Sequence, residues 1–484
     1  MTSNHNRIAH PLLWTLFALI LFRLITLALY PLMDTTEARY GEIGRKMAEL
    51  GDWITPWIEY DKPFWGKPPM SFWLTAASIK LFGANEFAAR LPHFMGGLFI
   101  LWLVWDWLKR RSAREALIAI TLLAGSALFF VSAGAVMTDM TLAIGTTLAM
   151  RGFWLGLHGA EAEHKREPWL FFLGLAIGLL AKGPLVFILV GVPLGLWTIF
   201  TKSYVKVWRR LPWLRGLLLT LLLALPWYLL AEQKTPGFLN YFIVGEHWHR
   251  FVTAGWKGDL YGSAHAFPRG SIWIYALGAC LPWALLLPVA AIFWRKSITP
   301  ETSPAHKPLH LYLWLWGLTP CLFFTFAGNI LWTYVLPALP ALAILGAHWL
   351  ARHVAAKRVD RVLITGLLLM MVVFAGLILD IRLNPAGDVK TTKALVQEYR
   401  AQRSGNEPLL FLGSRPQSAS FYSEGKAELV TDVNALALKL TQGSAFVAIG
   451  SNTALASFPA DLQEKLKPVA THGAYRLYSA AIQK

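Results

Sequence analysis

Cysteine is nearly absent from this chain, and acidic residues are scarce. Its two cysteines, Cys280 and Cys321, lie inside apolar stretches with no C-x-x-C spacing. That excludes a disulfide framework or a cysteine metal site and leaves both as small buried hydrophobes. There is no H-E-x-x-H metal pattern, no nucleotide-binding fingerprint and no obvious internal repeat. Only 28 Asp and Glu stand against 45 Lys and Arg, a formal net charge of +17. Such a surplus can mark a nucleic-acid partner, but here the basic residues cluster in short loops between apolar runs, where the positive-inside rule expects them. The charge therefore reads as membrane topology plus attraction to anionic lipid, with no nucleic acid.

What the chain has in quantity is apolar surface. Hydrophobic residues make up 55% of 484, with 23 Trp and 28 Phe, and the mean hydropathy is +0.45. This is a composition for bilayer solvent, and a crossing needs about 20 mainly apolar residues. Runs of that kind fall at 12–31, 91–108, 115–134, 140–157, 169–181 and 184–200, and again at 214–231, 271–294, 309–327, 331–350 and 361–381. The expectation is an α-helical polytopic membrane protein with about eleven crossings. The first run is long and no small-residue cleavage site follows it, so it reads as a retained helix and not as a signal peptide.

The basic loops 109–114, 202–215, 295–296 and 352–361 fall on one face if the spans alternate. That face is expected to be cytoplasmic, with the N-terminus, in a bacterial inner membrane. Segments 34–92, 134–139, 182–184 and 232–270, and everything after Arg382, then lie on the extracytoplasmic face. The expected division is a membrane domain over 1–382, with an extracytoplasmic loop at 33–90, and a small soluble α/β domain over 383–484. In the latter, Asn384-Pro385-Ala386-Gly387 is a linker signal, strand-like runs at 409–412 and 445–449 alternate with helical patterns at 389–401 and 434–440, and the size is near the lower range for domains.

Unusual polar residues collect on the extracytoplasmic side. Asp34, Glu37, Arg39 and Tyr40 form D-T-T-E-A-R-Y just past the first span. Asp34 and Glu37 stand one turn apart if the segment is helical, so a carboxylate there can serve as general base; the same residues also make a serviceable helix cap. Lys67-Pro68-Pro69 follows Trp65, and two prolines can hold the ammonium at a fixed height, as a phosphate ligand or as a snorkelling lysine in an aromatic belt. Asp139 and Lys182 are isolated charges at the mouths of apolar helices. The loop 246–268 carries Glu246, His247, His249, Arg250 and His265 among aromatics. Arg250 suits bidentate phosphate contact, and Glu246, His247 and His265 are the possible ligands of a divalent cation, the one cofactor the sequence leaves open.

The segment 34–92 resembles the first extracytoplasmic loop of the polyprenyl-phosphate-sugar glycosyltransferases of the GT-C fold, in the ArnT-like branch related to protein O-mannosyltransferases. That branch runs D-x-x-E-x-R-Y, then G-D-W-x-x-P, K-P-P and F-G-x-N-E-x-x-A-R-L-P. Here these are Asp34/Glu37/Arg39/Tyr40, Gly51 to Pro56, Lys67-Pro68-Pro69 and Phe82 to Pro92. Thr138-Asp139, Ala181-Lys182-Gly183-Pro184 and Glu246-His247-x-x-Arg250-Phe251 resemble its later elements.

The resemblance implies an inverting transfer of a sugar such as aminoarabinose or mannose from a polyprenyl-phosphate donor to a lipid, glycan or protein acceptor. Asp34, with Glu37 and Asp139, would be catalytic; Lys67, Lys182, Arg250 and Arg39 would meet the donor phosphate; Tyr40, Trp65, His247 and His265 would contact substrate. Two departures stand out. Gly66 replaces a residue that is often acidic before K-P-P, and a soluble segment stands where further membrane helices are common in the family. The rival class is a transporter or flippase of a lipid-linked substrate, which usually shows repeated halves and charges at mid-membrane.

Overall fold

The computed structural model describes residues 10–262, 266–294, 307–384, 390–453 and 455–480. The chain forms two compact units from interleaved segments. One comprises Met1–Ile25, Asp52–Leu74 and Arg90–Val373; the other comprises Thr26–Gly51, Thr75–Ala89 and Phe374–Lys484. The expected single break after residue 382 is therefore replaced by several chain passages between units. The expected basic loop at 295–296 lies outside the described residues, as does most of the linker at 384–387.

Most of the first unit is helical. Among the described residues, four helices or helical runs are long and apolar enough to cross a membrane: Glu86–Lys109, Trp213–Lys234, Trp332–His353 and Ala356–Leu383. The apolar stretch expected at 271–294 is instead two helices, Ser271–Ala279 and Trp283–Trp294, with a bend of 76° between them. Pro282 sits at the break, where it lacks an amide donor and disfavours helix in the residue before it. The run expected at 115–134 is likewise split into Ala113–Ala124 and Ala127–Ser132 around Gly125-Ser126. Shorter apolar helices include Pro11–Thr26 and Leu185–Phe200.

Lipid is written into the surface of the helix Trp213–Lys234. Leu214, Leu217, Leu218, Leu221, Leu222 and Leu225 are all exposed, a stripe of leucine that water would not tolerate. On the inside, Thr138–His158 packs against Glu161–Lys182 through small residues. A Cβ on Gly145 would come within 2.7 Å of the backbone at Gly174 and Gly178, so only glycine permits this approach. Where the same helices carry charge they neutralise it: Arg151, fully buried, reaches Asp106 at 2.5 Å and Glu167 at 2.6 Å.

The second unit holds a five-stranded sheet of order β2-β1-β3-β5-β4, with β1 Leu409–Leu412, β2 Ala427–Val430, β3 Ala445–Gly450, β4 Leu466–His472 and β5 Tyr475–Ala480. β2, β1 and β3 are parallel; β5 runs antiparallel to β3 and β4. Alternation along β1 sends Leu410 to one face, with Leu436, Val447 and Ile449, and Leu409 and Phe411 to the other, with Leu395, Tyr399 and Leu477. The helix Thr36–Leu50 belongs to this unit and lies against the helix Gln417–Tyr422, with Gly41 facing the ring of Phe421.

Candidate functional site

Lys67, Lys182, Glu246, His247 and Arg250 converge on one cavity of about 430 Å³ in the first unit. Glu246 is its electrostatic centre. Its Oε2 accepts from Lys67 Nζ at 2.8 Å and its Oε1 from Arg250 Nη1 at 2.9 Å, and Asp259 lies 3.6 Å from the other Arg250 nitrogen. Burial works to raise the Glu246 carboxyl, but Lys67 and Arg250 beside it outweigh burial and hold it below the usual glutamate range. The two cations are about a fifth exposed, whereas Glu246 is 4% exposed, so the cationic heads face the cavity and the carboxylate stays behind them.

A π-helix, Asn240–His249, sets this geometry. Its i to i+5 bonding places Tyr241 beneath Glu246 and Phe242 beneath His247. The Tyr241 hydroxyl lies 3.4 Å from Glu246 Oε1, and the rings of Phe242 and His247 are 4.6 Å apart. Burial, followed by the nearby carboxylates, pushes the Tyr241 phenol above its usual range, so it stays a donor. His247 contacts the carbonyls of Phe242 at 2.8 Å and Lys182 at 3.0 Å with its two ring nitrogens. Burial depresses its basicity.

Lys182 ends the helix Glu161–Lys182, and Gly183 follows at φ 71°, a conformation glycine adopts freely. A Cβ there would strike the Phe242 ring at 2.6 Å. This turn aims Lys182 at Asp139 Oδ1, 2.7 Å away, and over the ring of Tyr334, 4.7 Å from its centroid. Trp65 is anchored nearby in sequence to Lys67: its backbone N–H donates to the Tyr261 hydroxyl and its indole N–H to Thr235. Gly66 is packed under Phe64, 2.8 Å from where a Cβ would be, so a glutamate in its place would need that ring to move. Asp52, of the G-D-W element, takes bonds from the Trp57 indole and Lys234 and from the N–H groups of Ile54 and Thr55. It organises the loop and does not line the cavity.

Sequence reading missed two residues here. Asn329 is 4% exposed, lines the cavity, and neither atom of its amide has a hydrogen-bond partner among the described residues. Tyr334 provides the ring beneath Lys182. Asn329 follows an apolar helix in a short polar interruption, Gly328-Asn329, that resembles any loop, and Tyr334 opens the next helical run, Trp332–His353, as one aromatic among apolar residues. The rest of the wall is apolar, with Leu185, Ile188, Ile243 and Phe323 prominent.

The first polar motif lies in the second unit and is arranged otherwise. Asp34 does not cap the helix that follows: the N-cap is Thr35, without a side-chain bond, and Glu37 turns back to the N–H of Met33. The Asp34 carboxylate instead accepts from the Ser418 N–H at 3.0 Å and from the Ser418 hydroxyl, which also contacts Thr392 at 2.8 Å. Burial raises the Asp34 carboxyl above the usual range, against the Ser418 bonds and the nearby Arg39 guanidinium. Arg39 is half-buried with its Nε unpaired among the described residues, and Tyr40 is buried.

No three His, Cys, Asp or Glu side chains group as a metal site among the described residues. Glu246 is taken by two cations and His247 by two carbonyls, so the cation site expected there does not fit them; His265 lies outside the described residues.

The family described as dolichyl-phosphate-mannose-protein mannosyltransferase matches residues 8–242. A undecaprenyl phosphate-α-4-amino-4-deoxy-L-arabinose arabinosyl transferase of Erwinia tasmaniensis is 32% identical over 70% of this chain and 59% of its own; one from an Enterobacter strain is 31% identical over 72% and 60%. The structure of ArnT from Cupriavidus metallidurans bound to undecaprenyl phosphate superposes with a TM-score of 0.81 at 20% identity, over 97% of this chain and 98% of that one. The chain has the GT-C fold seen in ArnT and is similar in sequence to these arabinosyl transferases. This ArnT-like protein spans about three fifths of the length of the curated relatives it matches. Against the Cupriavidus structure it matches nearly end to end, so the soluble segment that sequence reading took for a departure has a counterpart in the fold.

Proposed function

We propose that this is a glycosyltransferase of a bacterial inner membrane. It moves a sugar, aminoarabinose or mannose or a similar one, from a polyprenyl-phosphate donor to a lipid, glycan or protein acceptor on the extracytoplasmic face, with inversion. The observation that carries the reading is the pair Lys67 and Arg250, both bound to buried Glu246 and both partly open to an apolar-walled cavity. Each cation already has half a counter-charge, so a phosphate can join them without first stripping water from bare ions. As the glycosidic bond breaks, charge grows on the leaving phosphate, and fixed donors stabilise that growth more than the ground state.

In this reading Lys67 and Arg250 grip the donor phosphate, Lys182 adds a third positive charge and Asn329 a neutral donor. Isoprene units follow the wall of Ile188, Ile243 and Phe323. Asp34 is assigned as the base for the acceptor hydroxyl, supported by its raised pKa, which burial makes more basic than an ordinary aspartate, and by its place in the family motif. The relatives' names support aminoarabinose as the first donor to try, and the Cupriavidus structure's lipid supports undecaprenyl phosphate. The finer topology assigned is about eleven crossings, with a cytoplasmic N-terminus and the sheet-bearing segment outside.

The test is transfer of radiolabelled sugar from a panel of polyprenyl-phosphate sugars in membranes carrying the protein, beside Lys67→Ala and Asp34→Asn. Donor-dependent product lost in both variants supports the assignment. If folded protein leaves every donor intact with total lipids and glycans as acceptors, while vesicles move labelled lipid between leaflets, the flippase class replaces it.

A further inference from the structure

A basic recess of about 210 Å³ lies in the first unit, away from the Lys67 cavity. The start of the helix Glu161–Lys182 gives it Lys165 and Trp169, and the segment leading into the helix Trp213–Lys234 gives it Arg209, Arg210 and Leu211. Lys182, at the other end of the first of these helices, lines the Lys67 cavity. At about 1.5 Å per residue, Lys165 and Lys182 are roughly 25 Å apart along the helix axis. That approaches the hydrocarbon thickness of about 30 Å, so recess and cavity open at opposite faces of the membrane.

Its positive charge is open and uncompensated. Lys165, Arg209 and Arg210 are exposed, no acidic side chain lines the recess, and none of the three pairs with a carboxylate among the described residues. The acids nearest Lys165 in sequence are engaged elsewhere, Glu163 by Arg110 and Glu167 by buried Arg151. His164, also in the lining, contacts the Gly156 carbonyl at 2.9 Å through Nδ1. Lys206, on the short helix Tyr204–Arg210 that carries both arginines, is held below the usual lysine range by burial and then by Arg210.

A path for a lipid tail begins beside the recess. Leu211 and Pro212 line it immediately before the helix Trp213–Lys234 starts, and the exposed leucines of that helix follow at Leu214, Leu218, Leu221 and Leu225. From Leu214 to Leu225 this stripe covers roughly 16 Å, about the hydrocarbon depth of one leaflet. Trp169 in the lining and Trp208 beside Arg209 are both exposed, as tryptophans at a membrane interface are.

We propose that this recess binds the phosphate-bearing headgroup of an anionic phospholipid in the leaflet opposite the Lys67 cavity. Arg209, Arg210 and Lys165 meet the phosphate, and an acyl chain follows the leucine stripe. Basic pockets between membrane helices take such headgroups, and these cations give up no protein counter-charge on binding one. The inference is independent of the sugar-transfer reading.

The test uses the full chain purified in detergent and read by native mass spectrometry with phosphatidylglycerol, phosphatidylcholine or inorganic phosphate as probe. The expected result is preferential retention of phosphatidylglycerol over phosphatidylcholine. Affinity should fall about fivefold in each of Arg209→Gln, Arg210→Gln and Lys165→Gln, as expected for the loss of one cation near a lipid phosphate. Lys357→Gln, which removes an exposed lysine outside the recess, should leave it unchanged. Equal retention of the two lipids, or unchanged affinity in the three recess variants, overturns the proposal. An equal fall in Lys357→Gln overturns it in favour of diffuse surface attraction. Displacement of phosphatidylglycerol by millimolar inorganic phosphate overturns the lipid assignment in favour of the free ion.

Discussion

Glu246 in the first unit and Asp34 in the second are both largely buried carboxylates, yet they are held by opposite kinds of partner. Glu246 is gripped by two full positive charges, which keep its pKa below the usual glutamate range despite burial. Asp34 is gripped by the hydroxyl and N–H of Ser418, whose dipoles do not offset burial, so its proton is held more tightly. The difference separates two tasks. A carboxylate paired with cations stays ionised and arranges those cations for an anionic ligand; a carboxylate held by neutral donors is tuned to take up a proton.

The comparison breaks most readily at Asp34. Asp34→Asn keeps shape and removes the basic oxygen, and general-base loss lowers the rate by about 100- to 10,000-fold. Turnover of a polyprenyl-phosphate sugar measures it, and a variant within a few-fold of the parent would make the Ser418 contacts purely structural. Lys67→Ala and Arg250→Ala come next. On the proposed assignment each removes a charge that meets the leaving phosphate, at a cost of about 100- to 1,000-fold in kcat. Were the loss to fall on KM alone, the cations would bind donor without favouring the transition state.

Glu246→Gln tests the other half of the contrast. It leaves two partly buried cations without their shared counter-charge, which in buried pairs costs about 3 to 5 kcal/mol and appears as a lower Tm of the purified protein. The sign of the pH dependence follows from the depressed pKa: the stability Glu246 contributes is complete above its unfolded value of 4.5 and is lost as pH falls through its lower folded value. Asp34 behaves in the reverse sense. Its neutral form is favoured in the fold, so its stabilising contribution is complete below 3.8 and is lost as pH rises through the raised value. As a base it must be ionised, so kcat/KM rises with pH through that value. Ser418→Ala, which deletes the hydroxyl bond that favours the charged form and keeps the N–H bond, should move this acid limb to higher pH. A limb unchanged in Ser418→Ala and Asp34→Asn would assign it to another group.

The smallest expected effect is at Tyr334. Tyr334→Leu removes the ring under Lys182 and should weaken donor binding by about 2- to 30-fold, the range of a cation–π contact of about 0.5 to 2 kcal/mol. Measured affinity for undecaprenyl phosphate would show it.

Lys67, Lys182, Arg250 and Asp139 were legible because charge beside apolar spans is rare and each stood in an ordered motif. Asn329 and Tyr334 were not, because an amide in a membrane-end loop and a phenol at the start of an apolar helical run carry no signal until a fold turns them inward. Glu246 stayed open as a possible metal ligand for want of any sequence cue that Lys67, 179 residues away, would neutralise it. The strands Leu409–Leu412 and Ala445–Gly450 were visible as short apolar runs, whereas β4, with exposed Lys467 and Pro468, sits at the sheet edge where neither burial nor pattern is demanded.

By itself the sequence determined the solvent and the ArnT-like motif order, because hydropathy and charge placement are local properties that each segment carries alone. Only the tertiary structure decided which carboxylate met which partner. Glu42 and Glu246 are both buried acids, but the first spends its charge on its own helix, at Arg45, whereas the second joins Arg250, four residues on, to Lys67 from a distant segment. That choice rests on long-range packing, a π-helical turn and a glycine at φ 71°, none of which a local pattern encodes.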